Sequence, residues 1–277
     1  MENKEKLLSS KTGKVLFFDM DGTLTPARKK VSPEIFDALN KLMLKGHRIC
    51  VVSGSPYDYI QQQLDLSSRR WNSELVIMPC NGTQVYLWSN SLGEYRQTYS
   101  TTMKSFLSAS MELSDPYKEL VTNILELQLY AMRKYNFTTT GNFVSDRGSM
   151  VNWSMIGRDA SHEVRDAFSH EETKFPIRKH LRECLRVRLD ASGLHGIDLT
   201  LGGSTSIDIF PKGWDKTYAL KHLAPGVDSW FWGDKCHPLG NDHALWKALQ
   251  PAGQSFAVET PEDTLNSLAT LQAEGKL

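Results

Sequence analysis

Two aspartates one residue apart are the clearest candidates for chemistry in this chain. Asp19 and Asp21 follow the apolar run Val15–Phe18, which predicts a short strand buried on both faces of a sheet. Gly22 is expected to end this strand and to leave both carboxylates at its carboxyl end, where open α/β sheets bind ligands. Two like charges buried together need a partner, and Mg²⁺ prefers carboxylate oxygens as ligands. The alternative is an ordinary strand followed by an Asp-Gly turn.

The elements that must position these residues alternate between strands and helices. A serine, a proline and a glutamate at residues 32–34 predict the start of a helix that ends at Gly46. A second strand, a second helix and a third strand follow at residues 48–52, 56 to about 64, and 75–78. Alternation of this length predicts a doubly wound parallel sheet of the α/β class.

The pattern changes after Tyr86. Residues 99–135 are helix-like, and two hairpins are expected at residues 143–156 and 197–210, with one helix at about 176–189 between them. Strand and helix signals of the first kind return from Trp230 onward. We therefore predict an α/β core formed by residues 1–86 and 211–277, and an inserted α+β cap domain formed by residues 87–210.

Composition excludes several functional classes. The 277 residues include 32 basic and 32 acidic side chains, so no basic surplus predicts a nucleic-acid or anionic-membrane partner. Four widely spaced cysteines lack metal-binding or redox spacing and are expected to be reduced thiols. Residues 1–13 are polar, and no apolar run is long enough to cross a bilayer. We expect a soluble cytoplasmic protein with a frayed amino terminus.

The sequence Asp-Met-Asp-Gly-Thr-Leu-Thr at residues 19–25 resembles the nucleophile motif of the haloacid-dehalogenase (HAD) superfamily of phosphotransferases. The resemblance implies that Asp19 attacks phosphorus to form an aspartyl-phosphate and that Asp21 is the general acid and base. This chemistry is reasonable, because an ionised carboxylate attacks a phosphoryl group whose charge is neutralised by a metal. A second carboxylate can protonate the departing oxygen.

Two further residues match that superfamily at expected strand ends or loops. Ser53 is placed like its phosphate-binding serine, although a serine beside glycine is ordinarily part of a turn. Lys216 resembles the lysine that neutralises the phosphate and Asp19, although most lysines are solvated surface charges.

A third segment supplies the rest of a metal site. Asp234 follows a predicted strand and would be the third protein ligand to Mg²⁺, beside the carboxylate of Asp19 and the backbone carbonyl of Asp21. Asn241 and Asp242 would be substitute ligands or would hold the primary ligand and the lysine in place. A helix cap is an alternative role for Asn241.

The inserted region resembles the cap domain of eukaryotic-type phosphomannomutases at residues 151–158 and 202–216. The resemblance implies a hexose-phosphate substrate and a homodimer formed through the cap. It also implies that Arg147 and Arg158 bind the distal phosphate, because a guanidinium matches phosphate oxygens. Asn152, Ser206 and Asp208 would bind sugar hydroxyls or support these arginines. The alternative for this set is a polar outer face of an antiparallel sheet.

The chain departs from the family pattern at three positions. Thr140 stands where a further cap arginine is expected, Cys80 replaces a glutamate, and Pro56 replaces an acid. Loss of one arginine would weaken binding of the distal phosphate and favour hydrolysis. Three functions therefore stay open: a phosphomannomutase that interconverts mannose 6-phosphate and mannose 1-phosphate, a sugar-phosphate phosphatase, and a sugar-phosphate-binding protein without catalysis.

Overall fold

The computed structural model describes Leu8, residues 13–68, Trp71 and residues 73–277. Most of the amino terminus that we expected to fray lies outside these residues. Two compact units are present: one contains Met1–Ser100 and Trp214–Leu277, and the other contains Thr101–Gly213. None of the helices in the described part of the chain is long and apolar enough to cross a lipid bilayer.

The elements fall in the following order. The strands are β1 Val15–Phe18, β2 Arg48–Val52, β3 Leu75–Met78, β4 Gln84–Ser89, β5 Glu94–Ser100, β6 Val144–Asp146, β7 Val151–Ser154, β8 Ile197–Gly202, β9 Ser206–Pro211, β10 Ser229–Gly233 and β11 Ser255–Ala257. The helices are α1 Pro33–Leu44, α2 Tyr57–Leu64, α3 Met103–Ser110, α4 Pro116–Lys134, α5 His162–Lys174, α6 Ile177–Ala191, α7 His243–Leu249 and α8 Pro261–Ala273.

The first unit is built on a seven-stranded sheet in the order β11-β10-β1-β2-β3-β4-β5. The first five strands in this order are parallel, and β4 and β5 are antiparallel. All four residues of β1 are buried, because helices cover both faces of the parallel strands. The predicted α/β fold with a parallel core is confirmed.

Helix α1 illustrates how local sequence sets the helices. The Ser32 side chain accepts a hydrogen bond from the Ile35 backbone N–H at 3.3 Å, and Pro33 occupies the first helical position, where its missing N–H costs nothing. Ile35, Leu39 and other apolar residues at helical spacing are buried against the sheet. A capping box between Thr260 and Asp263 starts α8 in the same manner.

The second unit is an antiparallel sheet in the order β6-β7-β9-β8, packed with α3 to α6. Its hairpins are the two that the sequence predicts. Asn152 pairs with Asp208 across β7 and β9, and Ser154 pairs with Ser206. The predicted α+β character of the inserted region therefore holds.

Two parts of the chain differ from the sequence expectation. Residues 87–100, which we assigned to the cap, complete the β4–β5 hairpin and belong to the seven-stranded sheet, while residues 211–213 group with the second unit. The alternation in this hairpin is weak because most of β5 is exposed. Helix α5 was not predicted, since Phe168 is its one buried residue and the sequence shows little apolar periodicity there.

Candidate active site

The carboxyl ends of β1 and β10 lie side by side and bring Asp19 and Asp234 to one edge of the sheet. Phe18 and Trp232 are register partners, and the Asp19 backbone N–H donates to the Trp232 carbonyl at 2.9 Å. Asp234 follows the last residue of β10 directly. Asp19 is only 4% exposed, so its charge must be balanced by other groups of the protein or by a ligand.

Lys216 balances part of this charge. Its ammonium group donates one hydrogen bond to Asp19 Oδ1 and another to Asp242 Oδ1. Lys216 and Asp242 are both fully buried. The second oxygen of Asp242, Oδ2, accepts from the Lys235 backbone N–H at 2.9 Å. Both oxygens of Asp242 are therefore occupied by protein donors, which fits the role of holding Lys216 better than the role of a metal ligand.

Two buried oxygens at this edge lack a donor. Lys235 Nζ lies 2.6 Å from Asp234 Oδ2, whereas Asp234 Oδ1 and Asn241 Oδ1 have no hydrogen-bond partner within the described part of the chain. One oxygen each of Asp19, Asp234 and Asp242 lie within 4.8 Å of one another. An orphaned oxygen in a cluster of carboxylates suits a hard divalent cation. The carboxylates of Asp19 and Asp234 therefore fit Mg²⁺, and Asn241, next to Asp242 in the chain, carries the other orphaned oxygen.

The electrostatics of the cluster also favour a cation. Burial, together with the neighbouring Asp242 carboxylate, raises the pKa of Asp19 to about 7 in spite of the opposing effect of Lys216. Burial likewise raises the pKa of Asp234. Burial alone would raise the pKa of Asp242, but the Lys216 ammonium and the Lys235 backbone N–H lower it. Three carboxylates face two ammonium groups, so one negative charge remains without a partner.

The carboxylate of Asp21 is held by a different set of groups. Its Oδ1 accepts from the Arg28 backbone N–H at 2.9 Å and from Gln63 Nε2 at 2.7 Å. Gly22, the next residue, has φ +89°, and a Cβ at this position would lie 2.7 Å from Cγ of Asp234. Only glycine allows the loop to pass this close to Asp234.

Ser53 lies just beyond the end of β2, the other neighbour of β1. The serine is 5% exposed, and its Oγ accepts from the Ser55 backbone N–H at 3.1 Å. Its carbonyl accepts from the Asn81 backbone N–H at 2.8 Å. Asn81 adopts φ 63° and Cys80 φ 50°, so two consecutive non-glycine residues in the left-handed region support the Ser53 loop.

The predicted substrate residues of the second unit form one network. Asn152 Nδ2 donates to Asp208 Oδ1 at 2.6 Å and to Ser206 Oγ at 2.9 Å. Arg158 Nη1 donates to Asn152 Oδ1 at 3.2 Å, and Arg147 Nη1 lies 4.0 Å from Asp208 Oδ1. The asparagine, serine and aspartate are each less than 7% exposed. A solvated outer face would leave such side chains exposed, so the network differs from the alternative of a merely polar outer face.

Arg165 belongs to the same region and was not among the predicted residues. Its guanidinium donates to the Arg158 carbonyl at 2.6 Å, to the Ala160 carbonyl at 3.0 Å and to Thr205 Oγ1 at 3.0 Å. The signal in the sequence was the N-cap Ser161, which places Arg165 in the first turn of α5. By contrast, Thr140, where we expected an arginine, bonds to the Ile156 carbonyl.

Gln63 is the second residue that the sequence analysis missed. It is buried on α2 together with Ile60 and Leu64, at helical spacing, and it contacts Asp21. A polar side chain on the apolar face of a helix was the available signal, because such a residue needs a buried partner.

The fold and the site together define a phosphotransferase of the HAD type. Two solved structures share this fold. A Plasmodium falciparum IMP-nucleotidase matches with a TM-score of 0.61 and 13% identity over 97% of this chain and 70% of its own. The C-terminal domain of a Candida albicans trehalose-6-phosphate phosphatase matches with a TM-score of 0.53 and 14% identity over 96% and 94%. At this identity the similarity concerns the fold alone.

The chain belongs to the eukaryotic phosphomannomutase family. The family model described as eukaryotic phosphomannomutase matches residues 35–273. A probable phosphomannomutase of Caenorhabditis elegans is 34% identical over 259 residues, which cover 92% of this chain and 93% of that protein. A phosphomannomutase of Schizosaccharomyces pombe is 34% identical over 260 residues and 92% of each chain. The resemblance inferred from the sequence motifs and the prediction of an enzyme are confirmed.

Proposed function

We propose that the protein is a Mg²⁺-dependent phosphomannomutase that interconverts mannose 6-phosphate and mannose 1-phosphate through an aspartyl-phosphate at Asp19. The observation that carries the proposal is the buried Lys216, which is shared between Asp19 and Asp242 at the strand end. A buried lysine in this position holds the nucleophile in place and adds positive charge where phosphoryl oxygens must bind. The relatives named phosphomannomutase support the choice of substrate.

The reaction consists of two phosphoryl transfers. In the first, the free hydroxyl of mannose 1-phosphate attacks the phosphorus of the aspartyl-phosphate and passes its proton to Asp21, while the bond between phosphorus and the Asp19 oxygen breaks and a sugar bisphosphate forms. In the second, the bisphosphate has turned around, an oxygen of Asp19 forms a bond to the other phosphorus, and Asp21 returns its proton to the departing sugar oxygen, which releases mannose 6-phosphate and restores the aspartyl-phosphate. Ser53 donates a hydrogen bond to a phosphoryl oxygen during both transfers.

The metal proposal rests on the orphaned oxygens. Mg²⁺ would be held by the carboxylates of Asp19 and Asp234, the side-chain oxygen of Asn241 and the backbone carbonyl of Asp21. When bound, the ion neutralises phosphoryl oxygens and the remaining negative charge of the cluster.

Substrate selection is assigned to the second unit. Arg147 and Arg158 would bind the phosphate that is not being transferred, while Asn152, Ser206 and Asp208 orient the arginines or bind sugar hydroxyls. Arg165 supports Arg158 by donating to its carbonyl, and its other two nitrogens donate to Ala160 and Thr205. The relatives named phosphomannomutase are what favours the mutase over the phosphatase.

An isomerisation assay separates the mutase from the phosphatase. Purified protein with Mg²⁺ is supplied with mannose 1-phosphate, with and without a hexose bisphosphate, and both mannose 6-phosphate and free phosphate are measured. A mutase yields mannose 6-phosphate, and the bisphosphate accelerates its formation. Free phosphate as the main product would make the protein a phosphatase. Asp19→Asn is the control, because it removes the nucleophile and should abolish both products.

We infer that the protein is cytoplasmic, and imaging of a fluorescent fusion would check this location.

We also infer a homodimer through the second unit, because Leu125, Leu129 and Met132 of α4 are 48%, 48% and 43% exposed at helical spacing. Light scattering should give twice the monomer mass, and Leu129→Glu should give the monomer. Leu44→Glu, at an exposed leucine of the first unit, should not change the mass.

A further inference from the structure

Gln63 joins the Asp21 loop to the end of helix α2. The side chain is 3% exposed, and its Nε2 donates to Asp21 Oδ1 at 2.7 Å. The same nitrogen lies 3.4 Å from Thr25 Oγ1. The amide therefore contacts the first and last residues of the segment from Asp21 to Thr25, which follows the proposed nucleophile. Its contact with Asp21 is a direct hydrogen bond to the group that handles the proton in the proposed reaction.

The backbone around Gln63 strengthens this connection. The Gln63 carbonyl accepts from the Val31 backbone N–H at 2.8 Å, and Lys30 Nζ lies 2.8 Å from Asp65 Oδ1. Arg28, between the loop and these contacts, has φ 62°, which turns its N–H toward Asp21. Lys30 and Val31 therefore both bind the end of α2, which limits how far the segment after Arg28 can move.

The other end of the Gln63 amide is less well satisfied. Its Oε1 is buried without a hydrogen-bond partner among the described residues. An amide that served packing alone would be a poor choice here, because leaving a buried acceptor unpaired costs more than an apolar side chain of similar volume. Residues that lower stability without a packing reason are expected at functional sites.

We propose that Gln63 is a positioning residue for Asp21. Gln63 Nε2 and the Arg28 backbone N–H both bind Oδ1, which fixes the orientation of the carboxylate. Asp21 Oδ2 receives no hydrogen bond from the described protein and is left to exchange a proton with the sugar oxygen. This inference rests on the proposed function, because it takes Asp21 as the general acid and base.

The first experiment compares Gln63→Met with Gln62→Met. Gln62 is the exposed neighbour on the same helix, and methionine keeps the length of glutamine while removing the donor. Gln63→Met should lower kcat by about 10- to 100-fold with KM changed less than about 3-fold, since misorientation acts on the transition state. Its thermal stability should equal or exceed that of the wild type. Gln62→Met should match the wild type in both measurements.

The second experiment asks whether the loss passes through Asp21. Phosphate monoesters with leaving groups from 4-nitrophenol to simple alcohols are used in single-turnover transfer to the enzyme with Mg²⁺. A basic leaving group needs a proton and an acidic one does not, so Gln63→Met should slow alcohol release strongly and 4-nitrophenol release by less than about 3-fold. In an Asp21→Asn background, Gln63→Met should cause no further loss.

Two results would overturn the inference. One is a Gln63→Met enzyme with the kcat of the wild type, and the other is an equal loss for all leaving groups, which would place the effect of Gln63 elsewhere. Failure of the proposed function looks different, because the wild type would then transfer phosphate from the simple esters but would not isomerise mannose phosphates. The leaving-group series still judges Gln63 in that case.

Discussion

Lys216 and Asp242 form a fully buried ion pair, and the same ammonium group also contacts Asp19. A buried charge that loses its partner is strongly destabilising, so the fold needs at least one of these carboxylates beside Lys216. The proposed reaction needs the other one. The arrangement separates two tasks that the sequence alone leaves combined. Both oxygens of Asp242 are bound to Lys216 and Lys235, whereas Asp234 Oδ1 has no hydrogen-bond partner among the described residues, which is why we propose it as the metal ligand.

This separation predicts different responses to two matched substitutions. Asp234→Asn should raise the Mg²⁺ concentration needed for half-maximal activity by about 10-fold or more, because it removes a charged ligand. Asp242→Asn should lower kcat and reduce the free energy of unfolding by about 3 kcal/mol, because Lys216 loses a buried partner. Mg²⁺ titrations of activity and urea unfolding measure the two effects. If both variants raised the Mg²⁺ concentration for half-maximal activity by the same factor, Asp242 would be a metal ligand as well.

The raised pKa of Asp19 predicts how stability depends on pH in the absence of Mg²⁺. The pKa is about 7 in the folded protein against 3.8 for an ordinary aspartate. Between these pH values the folded state binds more protons than the unfolded state, so stability falls as the pH rises from about 4 to about 7 and then levels off. Asp19→Asn lacks this penalty and should be more stable than the wild type at pH 8, by on the order of 2 kcal/mol.

Urea unfolding in EDTA at pH 5 to 8 tests this expectation. Asp58→Asn is the control, since it removes an exposed carboxylate and should leave the pH dependence of the wild type unchanged. An advantage of Asp19→Asn that is the same at pH 5 and pH 8 would contradict the assignment. Added Mg²⁺ should stabilise the wild type more than Asp19→Asn, because binding to one conformation shifts the folding equilibrium.

Gly22→Ala should disturb the metal site more than the fold. The substitution introduces a side chain at φ +89° and places Cβ 2.7 Å from Cγ of Asp234. Gly93→Ala is a matched control, because Gly93 has φ +67° and a Cβ added there would meet nothing within 4 Å. Both variants should lose about 1 kcal/mol of stability from backbone strain. Only Gly22→Ala should also lose activity and require more Mg²⁺.

The contrast between predicted and missed residues has a physical origin. Asp19, Ser53 and Asp234 were found because apolar strands that end in polar residues place those residues at the edge where parallel sheets bind ligands. Gln63 was missed because Gln61, Gln62 and Gln63 are identical in type, and only the phase of α2 decides which one is buried. Ile60 and Leu64 are the two buried apolar residues that mark this phase, and a helix of 8 residues gives the pattern little length in which to show itself.

The boundaries of the units were missed for a related reason. The β4–β5 hairpin joins the sheet through the pairing of β4 with β3, whereas β5 pairs with β4 alone. Because β5 is an edge strand and mostly exposed, its sequence carries little apolar pattern that would assign it to the sheet. Arg165 escaped notice because α5 is mostly polar, so its helix had no apolar pattern to reveal it.

Arg165→Lys should weaken substrate binding although the positive charge is kept. The guanidinium of Arg165 donates to the Arg158 and Ala160 carbonyls and to Thr205 Oγ1, and a single ammonium group cannot satisfy acceptors in this fork geometry. We expect KM for mannose 1-phosphate to rise about 10-fold or more, because Arg158 loses its support. Arg133→Lys, at an exposed position of α4, should leave KM unchanged. Transfer from 4-nitrophenyl phosphate, which has no distal phosphate, should be equal in both variants, and a loss there would show that Arg165 acts on the chemistry at Asp19 instead.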